Sequence, residues 1–429
     1  MEGIHIMKPV YFDDLVNICT NLSEQENKLL PLCAAENAMS PFSKIPLDTF
    51  LQEKYIMGGV MNYQQDSNFV GSKNLYKIYE LLSLQCNQLY GCKYADARTL
   101  SGVNAVMTLL MSLFSSGDTI LISSEDCGGH GSMPKICHRL GINTIELPFN
   151  YGIYDFDYNE INRILKEEKI NGILVCLSDI LNLPQLNKID LPEDCVLIFD
   201  ATQILGLIAA KTIENPLRWF TDKQKFILMG ATHKTLPGPT CGLIMTNNLD
   251  LASKFDTLIN PDYLRNSQLH HILSLILSLM ELEIFGKQYC ASIINNANCL
   301  AKTLVHYNFH IIKAAAKYTY THQIFVSMPE SDAKKFYNKC LDYGISINFR
   351  NKKLYKPCGL RIGTQEITRY GWTEKEMKSI AEILRDIRDN EYFSQDISSK
   401  INTISSNKRI CYTFDENYFD ILYTKLHNS

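Results

Sequence analysis

The sequence predicts an α/β fold: a mainly parallel sheet wrapped by helices, a smaller α+β domain after it, and a helical arm before it. Three observations predict this. Between residues 118 and 246 short apolar runs alternate with amphipathic stretches, the pattern of β-α units around a buried sheet. From His310 onward strands and helices are mixed in a different rhythm. And 429 residues exceed what one compact core holds, so two domains are expected. We place the arm at 1–40, the large domain at 41–290 and the small domain at 291–429.

Composition narrows the class. The chain is 46% hydrophobic and 21% charged, ordinary for a globular protein. A formal charge of −4 gives no basic footprint, so neither nucleic acid nor an anionic membrane is an expected partner. No apolar run is as long as a membrane span, and Met1 to Phe12 has no secretory pattern. The 14 cysteines form no C-x-x-C pairs. They suit free thiols in a reducing cytosol, and no metal site is expected. The expected location is cytoplasmic.

The elements follow in order. Leu15, Ile18, Leu22, Leu29 and Leu30 fall near helical spacing, hence the arm. A turn at Ser40-Pro41 precedes a short amphipathic helix from Asp48 to Lys54. Residues 55–68 are rich in Gly, Asn and Gln and predict an irregular loop. Asn74 to Tyr90 repeats apolar residues at helical period. Leu100 to Phe114 predicts a helix whose first turn can be capped by Ser101, with Gly102 letting backbone N–H groups approach an anion. Strands are expected at Asp118–Ile122, Thr144–Leu147, Gly172–Leu177, Cys195–Asp200, Phe226–Met229 and Cys241–Thr246. Helices at Gly131–Leu140 and Asp157–Glu168 separate the first of these. Leu269 to Tyr307 predicts two long helices, the first apolar almost all round. Strands at Gln323–Met328, Ile345–Phe349 and Leu360–Gly363 and helices at Ser331–Tyr343 and Thr373–Asp389 build the small domain. Residues 391–408 are polar and predict a linker. The aromatic tail, 409–429, is expected to dock back on the body.

One stretch concentrates the chemistry. Phe226 to Met229 is followed by small and polar residues, then Lys234, then a turn on Pro237, Gly238 and Pro239. An ammonium held at the end of a buried strand is partly desolvated, which lowers its pKa and makes the amine nucleophilic. That is what an imine-forming lysine needs. Ser178, Asp200 and Lys234 lie at or just past strand ends, where such sheets bind ligands. Asp200 can pair with a cationic ring nitrogen, and His130, after Gly128 and Gly129, can stack on that ring. Ser101, Gly102 and Val103 can hold a phosphate, and Arg361 can clamp a carboxylate with both arms of its fork. Together these are the parts of pyridoxal 5′-phosphate chemistry.

The same residues carry a resemblance. AAEN at 34–37, CGGHGS at 127–132, DATQILGL at 200–207, ATHKTLPGP at 231–239 and LRIGT at 360–364 resemble, in order, segments of the serine hydroxymethyltransferase branch of fold-type I pyridoxal-phosphate enzymes. The resemblance implies a fold-type I transferase with a seven-stranded sheet and a homodimer with shared active sites. It implies pyridoxal 5′-phosphate held as a covalent imine to Lys234, with Asp200 as ring-nitrogen partner and His130 as stacking residue. Ser178, Gln203, Thr232 and His233 would be further cofactor contacts. Arg361 would bind the amino acid carboxylate, with Glu36 and Tyr55 beside it. Tyr55 would also reach the phosphate of the neighbouring subunit's cofactor.

Departures from that branch refine the expectation. Its loop acid is replaced by Met57, which cannot move a proton. Only Phe69 lies near the position of its paired tyrosines. Gln203 replaces a histidine, Thr240 an arginine and Ala35 a serine. The chain is more similar to the L-threonine transaldolase subgroup, through HKTLPGP, through ELEIFGKQYCASIINNANCLAKTL at 281–304, through YTYTHQIFV at 318–326 and through CYTFDENYFD at 411–420. This implies retro-aldol cleavage of L-threonine, release of acetaldehyde, and transfer of the glycyl unit to an acceptor aldehyde. His130 and a bound water are both candidates for the base at the β-hydroxyl. Segments 56–72 and 258–270 are expected to shape the acceptor pocket. The alternatives are a serine hydroxymethyltransferase or threonine aldolase, and a binding protein that kept the fold and lost the chemistry.

Overall fold

The computed structural model describes residues 9–61 and 73–427. Its centre is a seven-stranded sheet: β1 (Tyr94–Thr99), β2 (Thr119–Ile122), β3 (Asn143–Glu146), β4 (Gly172–Cys176), β5 (Val196–Asp200), β6 (Phe226–His233) and β7 (Pro237–Thr246). The order is β1-β7-β6-β5-β4-β2-β3. The run β3, β2, β4, β5 and β6 is parallel, and β7 is antiparallel to both its neighbours. Strands β4 and β5 are buried along their whole length, as apolar runs covered on both faces must be. Register places Cys176 beside Asp200 and Asp200 beside Met229. The carboxyl ends of β4 and β5 therefore lie level with Met229 of β6, which runs on past them to His233.

The sequence pattern does not show β1, because Asp96 and Arg98 interrupt the continuous apolar run that marks its neighbours. In the fold both are buried. Arg98 donates to Asp96 at 2.6 Å and to Asp256 at 2.7 Å, so the charges are paired rather than exposed. The same guanidinium donates to the Gly58 carbonyl at 3.0 Å, and Asp256 accepts from the N–H groups of Val60 and Met61. This ion triad holds the irregular segment 55–61. The rest of the expected loop, 62–68, and Phe69 after it lie outside the described residues.

Helix α1 (Phe12–Lys28) is exposed along its length and forms the arm, while α2 (Tyr76–Tyr90), α3 (Gly102–Leu113), α4 (Met133–Arg139), α5 (Tyr158–Glu167), α6 (Leu249–Thr257) and α7 (Leu269–His306) wrap the sheet. Two helices are expected where α7 runs unbroken for 38 residues. Gly286 reads as a break. In the fold its missing side chain allows close packing: a Cβ there would lie 3.3 Å from the Ala210 Cβ. Burial along α7 offsets the cost of a helical glycine, about 1 kcal/mol. By length and composition α7 could cross a membrane, but 61% of its most apolar window is buried inside the protein. Its buried residues join the large-sheet core as far as Ile293 and a second core from Ala297.

That second core lies under an antiparallel sheet of β8 (His310–Ile311), β9 (Gln323–Ser327), β10 (Asn348–Asn351) and β11 (Cys358–Gly363), in the order β8-β9-β11-β10. Helices α8 (Glu330–Asp342) and α9 (Glu374–Asp389) supply its other side. The expected strand Ile345–Phe349 divides: Ile345–Ser346 pairs in parallel with Leu30–Pro31, and Asn348 starts β10. Asp48–Lys54 forms no α-helix; two 3₁₀ turns, Ile45–Asp48 and Phe50–Glu53, stand there. The expected linker contains α10 (Gln395–Ser405), because Ile397 and Ile401, one turn apart, are buried. In the tail, Phe414 packs on Phe42 and Phe285 at ring separations of 4.9 and 5.5 Å, and α11 (Glu416–His427) follows.

Candidate active site

Nine of the expected cofactor residues line one cavity of about 190 Å³: Ser101, Gly102, Val103, His130, Ser178, Asp200, Gln203, His233 and Lys234. They come from the first turn of α3, the loop after β2, and the ends of β4, β5 and β6. Ser101 caps α3, its hydroxyl accepting the Asn104 N–H at 3.2 Å. Gly102 is needed where α3 meets β6, since a Cβ there would come within 2.9 Å of the Ala231 Cβ. The N-terminal end of a 12-residue helix thus faces the cavity with its unpaired N–H groups, a cradle for a phosphate.

At the other end, Lys234 follows β6 and keeps part of its surface toward the cavity. Its surroundings are otherwise packed. Burial lowers its pKa, and the Arg361 charge lowers it further; Asp200 and Cys176 oppose, leaving it at about 8. Its backbone carbonyl is held by the Asn37 side-chain amide. A lysine with this pKa has an appreciable neutral fraction near neutral pH and can attack a carbonyl.

Asp200 is oriented by three donors. Its Oδ1 accepts the Thr202 N–H at 2.9 Å and the Thr202 hydroxyl, and its Oδ2 accepts the Cys176 thiol at 3.1 Å. Burial and the Asp200 charge both push the Cys176 thiol well up, so it stays a donor. His130 Nδ1 accepts the Ser132 N–H at 3.2 Å. Burial lowers the His130 pKa, and in the neutral ring the proton then sits on Nε2. Burial and then Lys234 hold His233 down at about 4. Among the described residues its buried Nδ1 has no hydrogen-bond partner, an orphan that a ligand in the cavity could satisfy.

Four expected residues stand elsewhere. The Thr232 hydroxyl is buried and donates to the Pro239 carbonyl, so it braces the turn after Lys234 and does not line the cavity. Glu36 is exposed, and its carbonyl accepts from Gln365. Tyr55 is also exposed, outside the cavity lining. Arg361, on β11, lies one layer behind the lining. It donates to Ser178 O at 2.5 Å and to Asn348 Oδ1 at 2.8 and 3.2 Å.

Behind Ser178 lies a group that the sequence pattern does not announce. Asp179 is fully buried and contacts Lys352 at 2.8 Å, Arg350 at 3.0 Å, Arg361 at 3.4 Å and the Tyr355 hydroxyl at 2.8 Å. Burial pushes its carboxyl up, but Arg361, Lys352 and Arg350 outweigh this and hold it at about 2. Thr202 and Cys176 also line the cavity without having been expected. The only signal for Thr202 is its place two residues after Asp200, where a short side chain can close a local turn. Gln323 joins the two sheets here, its amide donating to Gln203 Oε1 at 2.9 Å and Ser178 O at 3.0 Å.

Fold and cavity together define a pyridoxal-phosphate-dependent enzyme of the transferase or aldolase kind. The donor set fits the cofactor: a helix N-terminus for phosphate, an oriented carboxylate for a ring nitrogen and an amine for the aldehyde. The family model described as serine hydroxymethyltransferase matches residues 10–384, and the chain belongs to that family. Relatives include the serine hydroxymethyltransferase of Thermoplasma volcanium, 31% identical over 391 residues that cover 87% of this chain and 89% of the relative. That of Staphylothermus marinus is 28% identical over 392 residues, 88% and 87% of the two chains. In fold, the chain is similar to the L-threonine transaldolase from Pseudomonas fluorescens, solved in its internal aldimine state. The TM-score is 0.88 at 22% identity, over 96% of this chain and 97% of that one.

Proposed function

We propose that the chain is an L-threonine transaldolase. It cleaves L-threonine between Cα and Cβ, releases acetaldehyde, and joins the glycyl unit to an acceptor aldehyde to give a β-hydroxy-α-amino acid. Pyridoxal phosphate, bound as an imine to Lys234, supplies an electron sink for the bond cleavage. The observation that carries the reading is the acid-poor cavity. Among the described residues that line it, Asp200 is the one carboxylate, and three donors already occupy it. Met57 stands at the place of the family's loop acid, its carbonyl accepting from the Tyr76 hydroxyl at 2.6 Å. A retro-aldol step needs no carboxylic acid there.

The chain's residues would divide the work as follows. Arg361, one layer behind the lining, would bind the amino acid carboxylate and so fix the orientation of the Cα–Cβ bond. Ser101, Gly102 and Val103 hold the phosphate, with Ser178, Gln203, His233 and the supporting Thr232 around the ring. Asp200 keeps the ring nitrogen protonated. His130 stacks on the ring and offers its Nε2 proton, because Nδ1 already accepts from Ser132. It is therefore a donor to the β-oxygen more readily than a base. The free Lys234 amine, with a pKa of about 8, would be suited to hold the β-hydroxyl proton. Glu36 and Tyr55, both exposed, fit a homodimer in which a second subunit completes the site.

Incubation with L-threonine and benzaldehyde tests this. Acetaldehyde and a phenyl-substituted β-hydroxy amino acid are expected; the absence of both overturns the reading. The names of the sequence relatives favour a second reading, serine hydroxymethyl transfer, and folate-stimulated serine turnover would select it. Glycine accumulating without a coupled product would instead mark a threonine aldolase.

A further inference from the structure

We propose that the acceptor aldehyde carries an anionic group, and that Arg350 and Lys352 select it. This deepens the transaldolase reading and rests on it. Both residues belong to the β10 segment, where side chains two apart share a face. Asn348, Arg350 and Lys352 lie on that face and reach the strand-end loop of the large sheet. Asn348 accepts from Arg361, and Arg350 and Lys352 both contact Asp179. Asp179 directly follows Ser178, which lines the cavity. Lys352 Nζ also donates to the Gly129 carbonyl at 3.1 Å, one residue before His130.

The charges do not balance. Three cations meet one carboxylate, Asp179. If a substrate carboxylate takes Arg361, Asp179 offsets one of the remaining two. One positive charge is left beside the catalytic cavity. Glu125, next to Gly131 across the same loop, and Asp126, which accepts the Lys353 N–H at 3.3 Å, are both solvent-exposed, so water screens them. A structural ion pair needs one cation, and a surplus held in place by packing is costly unless a ligand uses it.

Exposure points the same way. The Arg361 side chain is 3% exposed, but those of Lys352 and Arg350 are 15% and 23% exposed. Arg350 spends Nε on Asp179 and Nη1 on its neighbour's carbonyl. Among the described residues none accepts a hydrogen bond from its Nη2. A guanidinium so held is pre-positioned to grip a carboxylate or phosphate.

The test uses the holoenzyme, L-threonine and two aldehydes of one shape, 4-formylbenzoate and 4-formylbenzamide. The expected kcat/KM is about tenfold or more higher for the benzoate at low salt, falling with added salt. In R350Q that ratio falls toward one, R350K retains most of it, and K352Q lowers it partly. Glycolaldehyde phosphate against glycolaldehyde, in the same assay, tells a phosphate preference from a carboxylate one. A second measurement needs no turnover: calorimetric binding of 4-methylbenzoate to glycine-saturated enzyme, expected in the wild type and lost in R350Q. Equal use of charged and neutral aldehydes, or a ratio that R350Q leaves unchanged, overturns the proposal while the transaldolase reading stands. No product from any aldehyde overturns both.

Discussion

The Thr202 hydroxyl accepts the Ala231 N–H at 2.7 Å and donates to Asp200. One side chain thereby ties the carboxylate at the end of β5 to the strand that carries Lys234. Replacing Thr202 by valine keeps the shape and removes the tie. The expected cost is about 1 kcal/mol of orientation at Asp200, or roughly a fivefold to tenfold faster loss of cofactor. Loss of visible absorbance during dialysis measures it, and T202S should restore the wild-type rate. An unchanged rate would show that Thr202 does not orient the site.

Lys234 makes the cofactor-free protein pH-sensitive. Its folded pKa, about 8, is below the ordinary lysine value. Between those values the unfolded chain binds more protons than the folded one, so stability rises with pH across about pH 8 to 10.5. K234M should therefore stabilise the cofactor-free protein at pH 7, by on the order of 2 kcal/mol. The gain should vanish near pH 10.5. Urea unfolding at several pH values checks this. The same variant should retain no cofactor after borohydride treatment.

Arg98 is buried between Asp96 and Asp256. R98M leaves two carboxylates buried without their cation. The expected loss is about 3–5 kcal/mol, with faster proteolysis of segment 55–61, whose Gly58 carbonyl loses its donor. The triple variant D96N/R98M/D256N should recover much of that stability. If R98M unfolds at the wild-type urea concentration, the triad is not holding the loop.

Glu366 is buried and accepts from the Tyr370 hydroxyl at 2.9 Å. Burial raises its pKa to about 7, with Glu26 and Glu36 adding to the effect and Lys408 opposing it. Here the folded state binds the extra proton. Stability should fall as pH rises from about 4.5 to 7, the reverse of the Lys234 case. E366Q should flatten that slope and raise Tm at pH 8. A pH–Tm profile parallel to the wild type would refute it.

How legible was this site? Apolar runs located β2 and β4 to β7, because strands covered on both faces need continuous apolar side chains; the edge strand β3 is mostly exposed and was located by its place between two helical stretches. Lys234, Asp200 and Ser101 could be placed at strand and helix ends, since those boundaries carry local signals. β1 was hidden because Asp96 and Arg98 pair with each other and can be buried only with Asp256, far along the chain, completing the triad. The continuity of α7 was hidden because Gly286 is disfavoured locally and favoured only against Ala210. α10 was hidden by serines and asparagines around two buried isoleucines.

By itself the sequence determined the class of fold, its family and the order of the chemical parts along the chain. Each rests on local periodicity or short motifs, which neighbours in sequence specify. The tertiary structure alone decided which parts meet. It brought Cys176 and Thr202 to Asp200, set Thr232 behind the cavity, and gathered Arg350, Lys352 and Arg361 on one buried carboxylate. The contacts to Asp179 join residues 171 to 182 positions apart, and the energies of all of them depend on burial and distance, which no linear pattern encodes.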